Sequence, residues 1–360
     1  MGQTLSEPIT EKHSSEGGDK RVIFACSGMQ GWRISMEDDH TTIPNYNNTE
    51  TSFFAVFDGH GGSEVAKYSG EHLYKRVLDA DAFKENKIKE ALKEGYLGID
   101  KDLRADPLYE NVPSGCTAVS TLITKDNVLY CANAGDSRAV LSVNGKAIAL
   151  SQDHKPTNDN ETKRIRNAGG HVEFGRVNGN LALSRALGDF EFKQRSDLPP
   201  EEQAVTADPD ITVHVITDKD DFVIVACDGI WDCLTNQEAV DFVREGLSKN
   251  ETLKEICENM MDRCLASETD VGGFGCDNMT VIIVGLLHGK TEQEWYEHMK
   301  GSFVKTTEVT TKDKNNDEVE GEDVKATPAS KKNDDTPLND GIIEDRVGEI
   351  VNQSEKTTSS

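Results

Sequence analysis

The feature that most constrains this chain is the run Phe53-Phe54-Ala55-Val56-Phe57-Asp58-Gly59-His60-Gly61-Gly62, an apolar β-type stretch that stops on a carboxylate, a glycine and an imidazole. Such a run suits a strand buried on both faces, which would hold Asp58 rigidly at the sheet edge. Gly59 has no side chain, so its carbonyl can approach an ion closely, and Gly61-Gly62 let the backbone turn before a helix predicted to begin near Ser63. Taken alone, Asp-Gly after a strand is an ordinary turn. The pattern recurs, however, at Phe222-Val223-Ile224-Val225-Ala226-Cys227-Asp228-Gly229. Two strands that each deliver a carboxylate to one edge point to a shared cation site, because hard divalent ions need several converging oxygens.

Seven further strands are predicted: Arg21 to Ser27, Cys116 to Thr124, Asn127 to Ala134, Ser137 to Val143, Lys146 to Leu150, Ile211 to Ile216 and Met279 to Leu287. Asn144-Gly145 is a two-residue hairpin signal, so antiparallel pairing is expected. Ile88, Leu92, Tyr96, Ile99 and Leu103 recur at helical spacing and read as packing only. Asn160 to Ala168, closed by Gly169-Gly170, suggests a short helix. Thr235 with Glu238 and Thr252 with Glu255 are capping boxes opening two more. Nine strands with only a few helices do not make a βαβ series. Residues 176–189 read as a polar, glycine-punctuated connection.

Periodic apolar segments stop near residue 287. The reading is therefore a polar leader over 1–19, one domain over 20–300, and an acidic tail over 301–360 that is expected to stay disordered for want of apolar surface. The formal charge is −26; residues 301–360 hold 14 acidic and 8 basic residues, which leaves −20 on the first 300. A domain so acidic is a poor nucleic-acid partner and suits cations. Eight cysteines include no Cys-x-x-Cys pair, and no secretory or membrane-spanning run is present. A reducing cytoplasmic or nuclear setting is expected. Met1-Gly2-Gln3-Thr4-Leu5-Ser6 matches the N-myristoylation pattern, which would give at most weak, reversible membrane contact.

Two more aspartates, Asp136 and Asp277, fall at strand ends, and Glu37 with Asp38 follows Arg33 by four residues. Six carboxylates without His/Cys spacings favour Mg2+ or Mn2+ over zinc. Paired hard cations commonly clamp a phosphoryl group and activate water, which makes phosphate-ester hydrolysis the natural reaction. Arg33 offers a planar fork for phosphate. His60, two residues from Asp58, is placed to act as a general acid, although a lone histidine is usually structural. A rival cysteine-nucleophile chemistry, with Cys257 and Arg263 at the right spacing, is rejected: the segment lies in a capped helix, has acidic neighbours and lacks phosphate-cradling glycines.

These residues resemble metal-dependent serine/threonine phosphatases of the protein phosphatase 2C family. The carriers are MQGWRISMEDD (29–39), FFAVFDGHGG (53–62), SGCTA (114–118), AGDSR (134–138), VNGNLALSRALGDF (177–190), ACDGIWD (226–232) and GCDNMT (275–280), in the family's order over roughly 20–290. The resemblance implies an α+β fold, a central sandwich of two antiparallel β-sheets flanked by α-helices on both faces. It implies two Mg2+ or Mn2+ ions whose bridging water attacks phosphorus. Asp58 would bridge them, the Gly59 carbonyl would bind one and Asp228 with Asp277 the other, while Glu37 and Asp38 hold metal-bound waters. Arg33 would grip the phosphate and His60 protonate the leaving alcohol. Asp136 and Asp232 stand where some members bind a weaker third ion. Phosphoprotein substrates and a monomer are expected. In leader and tail layout the chain is similar to fungal members acting on stress-pathway kinases. The alternative is a non-catalytic phosphoprotein-binding module that retains the fold.

Overall fold

Each of the two apolar runs that end on Asp-Gly divides its side chains between opposite faces, with period two. Phe53, Ala55 and Phe57 join one buried cluster and Phe54 and Val56 another; Phe222, Ile224 and Ala226 likewise separate from Val223, Val225 and Cys227. Burial on both sides is why these strands read as continuous apolar runs.

A computed structural model of the chain describes residues 4–109, 112–269 and 273–301. Six strands form one sheet in the order Thr4–Gly18, Val22–Arg33, Met279–Leu286, Asp220–Ala226, Arg138–Val143 and Lys146–Ala149. Five form the other, in the order Asp210–Val215, Val128–Ala134, Ala118–Ile123, Ser52–Phe57 and Asp39–Ile43. Neighbours within both sheets are antiparallel. The inner faces meet in a cluster that includes Phe24, Phe54, Val119, Val225 and Ile282, with the Phe24 and Phe54 rings 5.5 Å apart. Helices Glu64–Leu78 and Ile88–Ala105 cover the outside of the five-stranded sheet. Asn236–Ser248, Leu253–Cys264 and a helix over 292–301 cover the other. The sandwich expected from the resemblance is therefore present, with helices on both faces.

All nine expected strands form. Asn144 and Gly145 take φ values of 50° and 80°, as a two-residue hairpin turn of the primed kind requires. Both capping boxes close. Two expectations change. The strand expected over Arg21 to Ser27 continues to Arg33, and the polar leader is itself a strand, Thr4–Gly18. That edge strand is largely exposed and makes its ladder through the backbone, so it needs no apolar alternation. Lys12 pairs with Asp262, and Ser14 donates to Glu258 at 2.7 Å, tying it to the overlying helix. The acidic tail lies outside the described residues apart from Gly301. Among the described residues no helix is long and apolar enough to cross a membrane.

Candidate active site

The two Asp-Gly steps stand at neighbouring strand ends, and the structure explains their glycines in the same way. A Cβ on Gly59 would lie 2.2 Å from the Glu37 carbonyl oxygen, and one on Gly229 would lie 2.0 Å from that of Asn278. Each glycine thus lets the segment bearing the next carboxylates, Glu37-Asp38 or Asp277-Asn278, press against the strand end. Asn278 stitches those segments together: it accepts from the Glu37 N–H at 2.9 Å and donates to the Gln30 and Ser35 carbonyls at 2.8 and 2.9 Å. Asp58 is fixed by its backbone, whose N–H donates to Thr117 Oγ1 at 3.2 Å and whose carbonyl accepts from Thr117 N–H at 2.9 Å.

The result is concentrated negative charge. Burial raises the Asp58 pKa well above the ordinary range, and repulsion from Asp228, Asp38, Asp277 and Asp136 adds to it. Burial and then Asp136, Asp277 and Asp232 do the same for Asp228. Asp232 is raised by burial, against the pull of Lys155. Asp38 is lifted to about 7, chiefly by burial; it accepts from Thr280 Oγ1 at 2.7 Å through Oδ2, while its buried Oδ1 has no hydrogen-bond partner. Such an arrangement of oxygens fits a hard divalent cation, which would neutralise the repulsion and satisfy the orphaned oxygen. Among the described residues, one trio of potential ligand atoms lies wholly within 4.8 Å, that of Asp38, Asp58 and Cys227. Cys227 is structural. Its thiol is pushed well above its ordinary pKa by burial, donates to the Asn278 carbonyl at 3.6 Å and accepts from the Thr280 N–H at 3.1 Å, and a soft sulfur ligand suits these cations poorly.

Internal cations already lean on the cluster. Arg33, at the end of its strand, places Nη2 2.5 Å from Asp277 Oδ2, and Lys155 Nζ lies 2.5 Å from Asp136 Oδ2. Asp232 closes the turn after Asp228, donating its N–H to the Asp228 carbonyl at 2.8 Å. The Glu37 carboxylate accepts from Ser35 Oγ at 2.7 Å and Gly62 N–H at 3.1 Å. His60 Nε2 lies 2.7 Å from Asp189 Oδ2. Burial disfavours its charged form, but Asp189 outweighs that, with Asp136 and Glu37 adding, and the His60 pKa lies above its ordinary value. Sequence reasoning does not single out Lys155 or Asp189, although Asp189 falls within the 177–190 motif. Cys257 is buried inside Leu253–Cys264 with its thiol pKa raised well above ordinary by burial, which agrees with its rejection as nucleophile.

Metal-free stability should carry the cost of burying these carboxylates as a pH dependence. Asp38 moves from an ordinary 3.8 to about 7 on folding, so the folded state holds a proton that the unfolded chain has lost. Stability in chelator therefore falls as pH rises through that window. A melting temperature several degrees higher at pH 5.5 than at pH 7.5 is expected, with added Mn2+ raising the value more at pH 7.5. A flat or inverted profile would refute it.

The family model for "Protein phosphatase 2C" matches residues 22–271. The chain is 55% identical over 308 residues to protein phosphatase 2C homolog 2 of Hypocrea jecorina, covering 83% of this chain and 70% of that one. It is 55% identical over 301 residues to the Schizosaccharomyces pombe protein phosphatase 2C homolog 2, covering 82% and 81%. Among solved structures, a phosphatase of Toxoplasma gondii superposes with a TM-score of 0.68 at 26% identity, over 78% of this chain and 97% of that one. These likenesses define the class, a phosphatase of phosphoproteins. The chain belongs to the protein phosphatase 2C family.

Proposed function

We propose that the chain is a Mg2+- or Mn2+-dependent monomeric phosphatase that hydrolyses phosphoserine and phosphothreonine in signalling proteins, stress-activated kinases among them, in the cytoplasm and nucleus. Gly2 acylation would add at most weak, reversible membrane contact. The observation that carries the reading is the convergence of Asp38, Asp58, Asp136, Asp228 and Asp277 on one strand-end cluster whose charges repel and whose buried Asp38 Oδ1 lacks a partner. Asp58, the Gly59 carbonyl, Asp228 and Asp277 would hold two ions, with Glu37 and Asp38 ordering their waters and Asp136 and Asp232 available to a weaker third. Such ions, when bound, supply positive charge against phosphoryl oxygens and make water a stronger nucleophile.

The chain's own groups do the rest. Arg33 presents paired N–H donors from a strand end to the phosphate's non-bridging oxygens. His60, its Nε2 held by Asp189, turns Nδ1 toward a departing oxygen and gives it a proton. Phosphopeptide turnover that requires Mn2+ or Mg2+ and stops in excess chelator is expected; turnover surviving chelation would overturn the metal requirement, and none under any condition would favour a binding module. For Arg33→Ala we expect kcat/KM for phosphopeptide to fall about 10–10²-fold, the loss of roughly 1.5–3 kcal/mol for hydrogen bonds to a charged group. An unchanged kcat/KM would remove Arg33 from the phosphate.

A further inference from the structure

The chain builds a small three-stranded sheet of two-residue strands beside the carboxylate cluster, in the order Leu187–Gly188, Gly115–Cys116 and Gly59–His60. Its register sets Gly115 opposite Gly188 on one side and opposite His60 on the other. Gly115 has no side chain to separate them. A Cβ there would lie 2.4 Å from Asp189 Oδ2 and 2.5 Å from its Cγ, so the Asp189 carboxylate occupies the space a side chain would need and passes over Gly115 to His60. The carboxylate is 3% exposed, and its Oδ2 is 2.7 Å from His60 Nε2.

Asp189 is held in this position with some force. Its backbone is in the left-handed region, φ 51°, following Gly188 at 77°. An aspartate adopts that conformation at some cost and keeps it where surrounding contacts demand it. Here the Asp189 N–H donates to the Ser114 carbonyl at 3.3 Å, and the Gly188 N–H donates to Asp100 Oδ1 at 2.8 Å. Asp100, on the long helix Ile88–Ala105, pairs through its other oxygen with Lys193, whose ammonium also donates to the Ala186 carbonyl at 2.7 Å. A buried ion pair therefore clamps the chain on both sides of Asp189.

From this geometry we infer that Asp189 is a positioning residue for the reaction: it fixes the tautomer and direction of His60, so that Nδ1, and not Nε2, faces the leaving oxygen, and Gly115 exists to let it do so. The inference rests on the reading of His60 as general acid. In the step itself, water attacks phosphorus and releases one proton to solvent as the P–O bond to the serine or threonine oxygen breaks. The Nδ1 proton passes to that oxygen, and the neutral imidazole left behind keeps its Nε2–H on Asp189. The ring regains a proton from solvent before the next turnover. An imidazole that rotates freely presents the wrong nitrogen or the wrong tautomer part of the time.

The test compares Asp189→Asn, Gly115→Ala and His60→Ala on a phosphothreonine peptide and on p-nitrophenyl phosphate at saturating Mn2+, with melting temperatures alongside. An aryl oxide leaves without protonation, so only the alkyl ester should depend on His60. Asp189→Asn is expected to lower peptide kcat about 10–10²-fold, part of the 10²–10⁴ typical of a general acid, with p-nitrophenyl phosphate changed less than about threefold. Added to His60→Ala it should cost nothing more. Gly115→Ala displaces the carboxylate without removing it and should show the same substrate bias; it carries the test should Asp189→Asn fail to fold. If His60→Ala is selective for the peptide but neither variant is, or if Asp189→Asn adds its full loss to His60→Ala, the positioning role falls and the acid role stands. Equal losses on both substrates for His60→Ala would instead remove the acid itself.

Discussion

Asp58→Asn is expected to abolish phosphopeptide turnover while leaving the metal-free fold at least as stable as the parent. Asp58 sits at the centre of the repulsion, facing Asp228, Asp38, Asp277 and Asp136, so neutralising it removes an unfavourable charge from a crowded, half-buried place. Its fixed position depends on backbone bonds to Thr117, which asparagine preserves. The cost would fall on the cation-loaded state, where loss of a carboxylate proposed to hold the ions would remove several kcal/mol of transition-state stabilisation, about 10³-fold or more in rate. Thermal melts in chelator and in Mn2+ check both halves: the variant should match or exceed the parent in chelator and gain less from Mn2+. A drop of several degrees in chelator would mean that Asp58 is structural, and turnover within tenfold of the parent would take it out of the site.

The second large effect belongs to His60→Ala. If His60 gives a proton to the departing oxygen, its loss should reduce phosphopeptide kcat by about 10²–10⁴-fold and matter far less for an aryl phosphate. The acid must be protonated to act, so parent kcat should decline as pH rises through the His60 ionisation, and Asp189 places that decline above the ordinary histidine value. The Mn2+ requirement should hardly change, since the imidazole is engaged by Asp189 and not by the carboxylate cluster. A large rise in required Mn2+ would put His60 among the ligands, contrary to this reading.

The elements easiest to read in the sequence were those whose burial is written in composition. Ser52–Phe57 and Asp220–Ala226 lie between the other sheet and a helical layer, so nearly every side chain is apolar. The carboxylates at their ends stood out against that background. Thr4–Gly18 was illegible for the opposite reason: an edge strand is held by backbone pairing and a few polar contacts, and its composition resembles a loop. Asp189 and Lys155 were hidden because their importance depends on which distant segment each one meets. Asp189 acquires a role only once Gly115 and His60 are set side by side, and its own pairing with His60 spans 129 residues, which no local pattern encodes.

The edge strand has a practical consequence. Its register places Thr4 opposite Arg33, the residue assigned to the phosphate. Thr4 therefore lies beside the residue proposed to grip the phosphate, and a linker extends its reach by at most about 3.5 Å per residue. A fluorophore or surface tether attached at Thr4 would stand beside the proposed phosphate-binding residue, where it would obstruct a phosphoprotein. For the same reason, a probe fixed at Thr4 would report the arrival of substrate at Arg33 without altering a side chain proposed to act in the reaction.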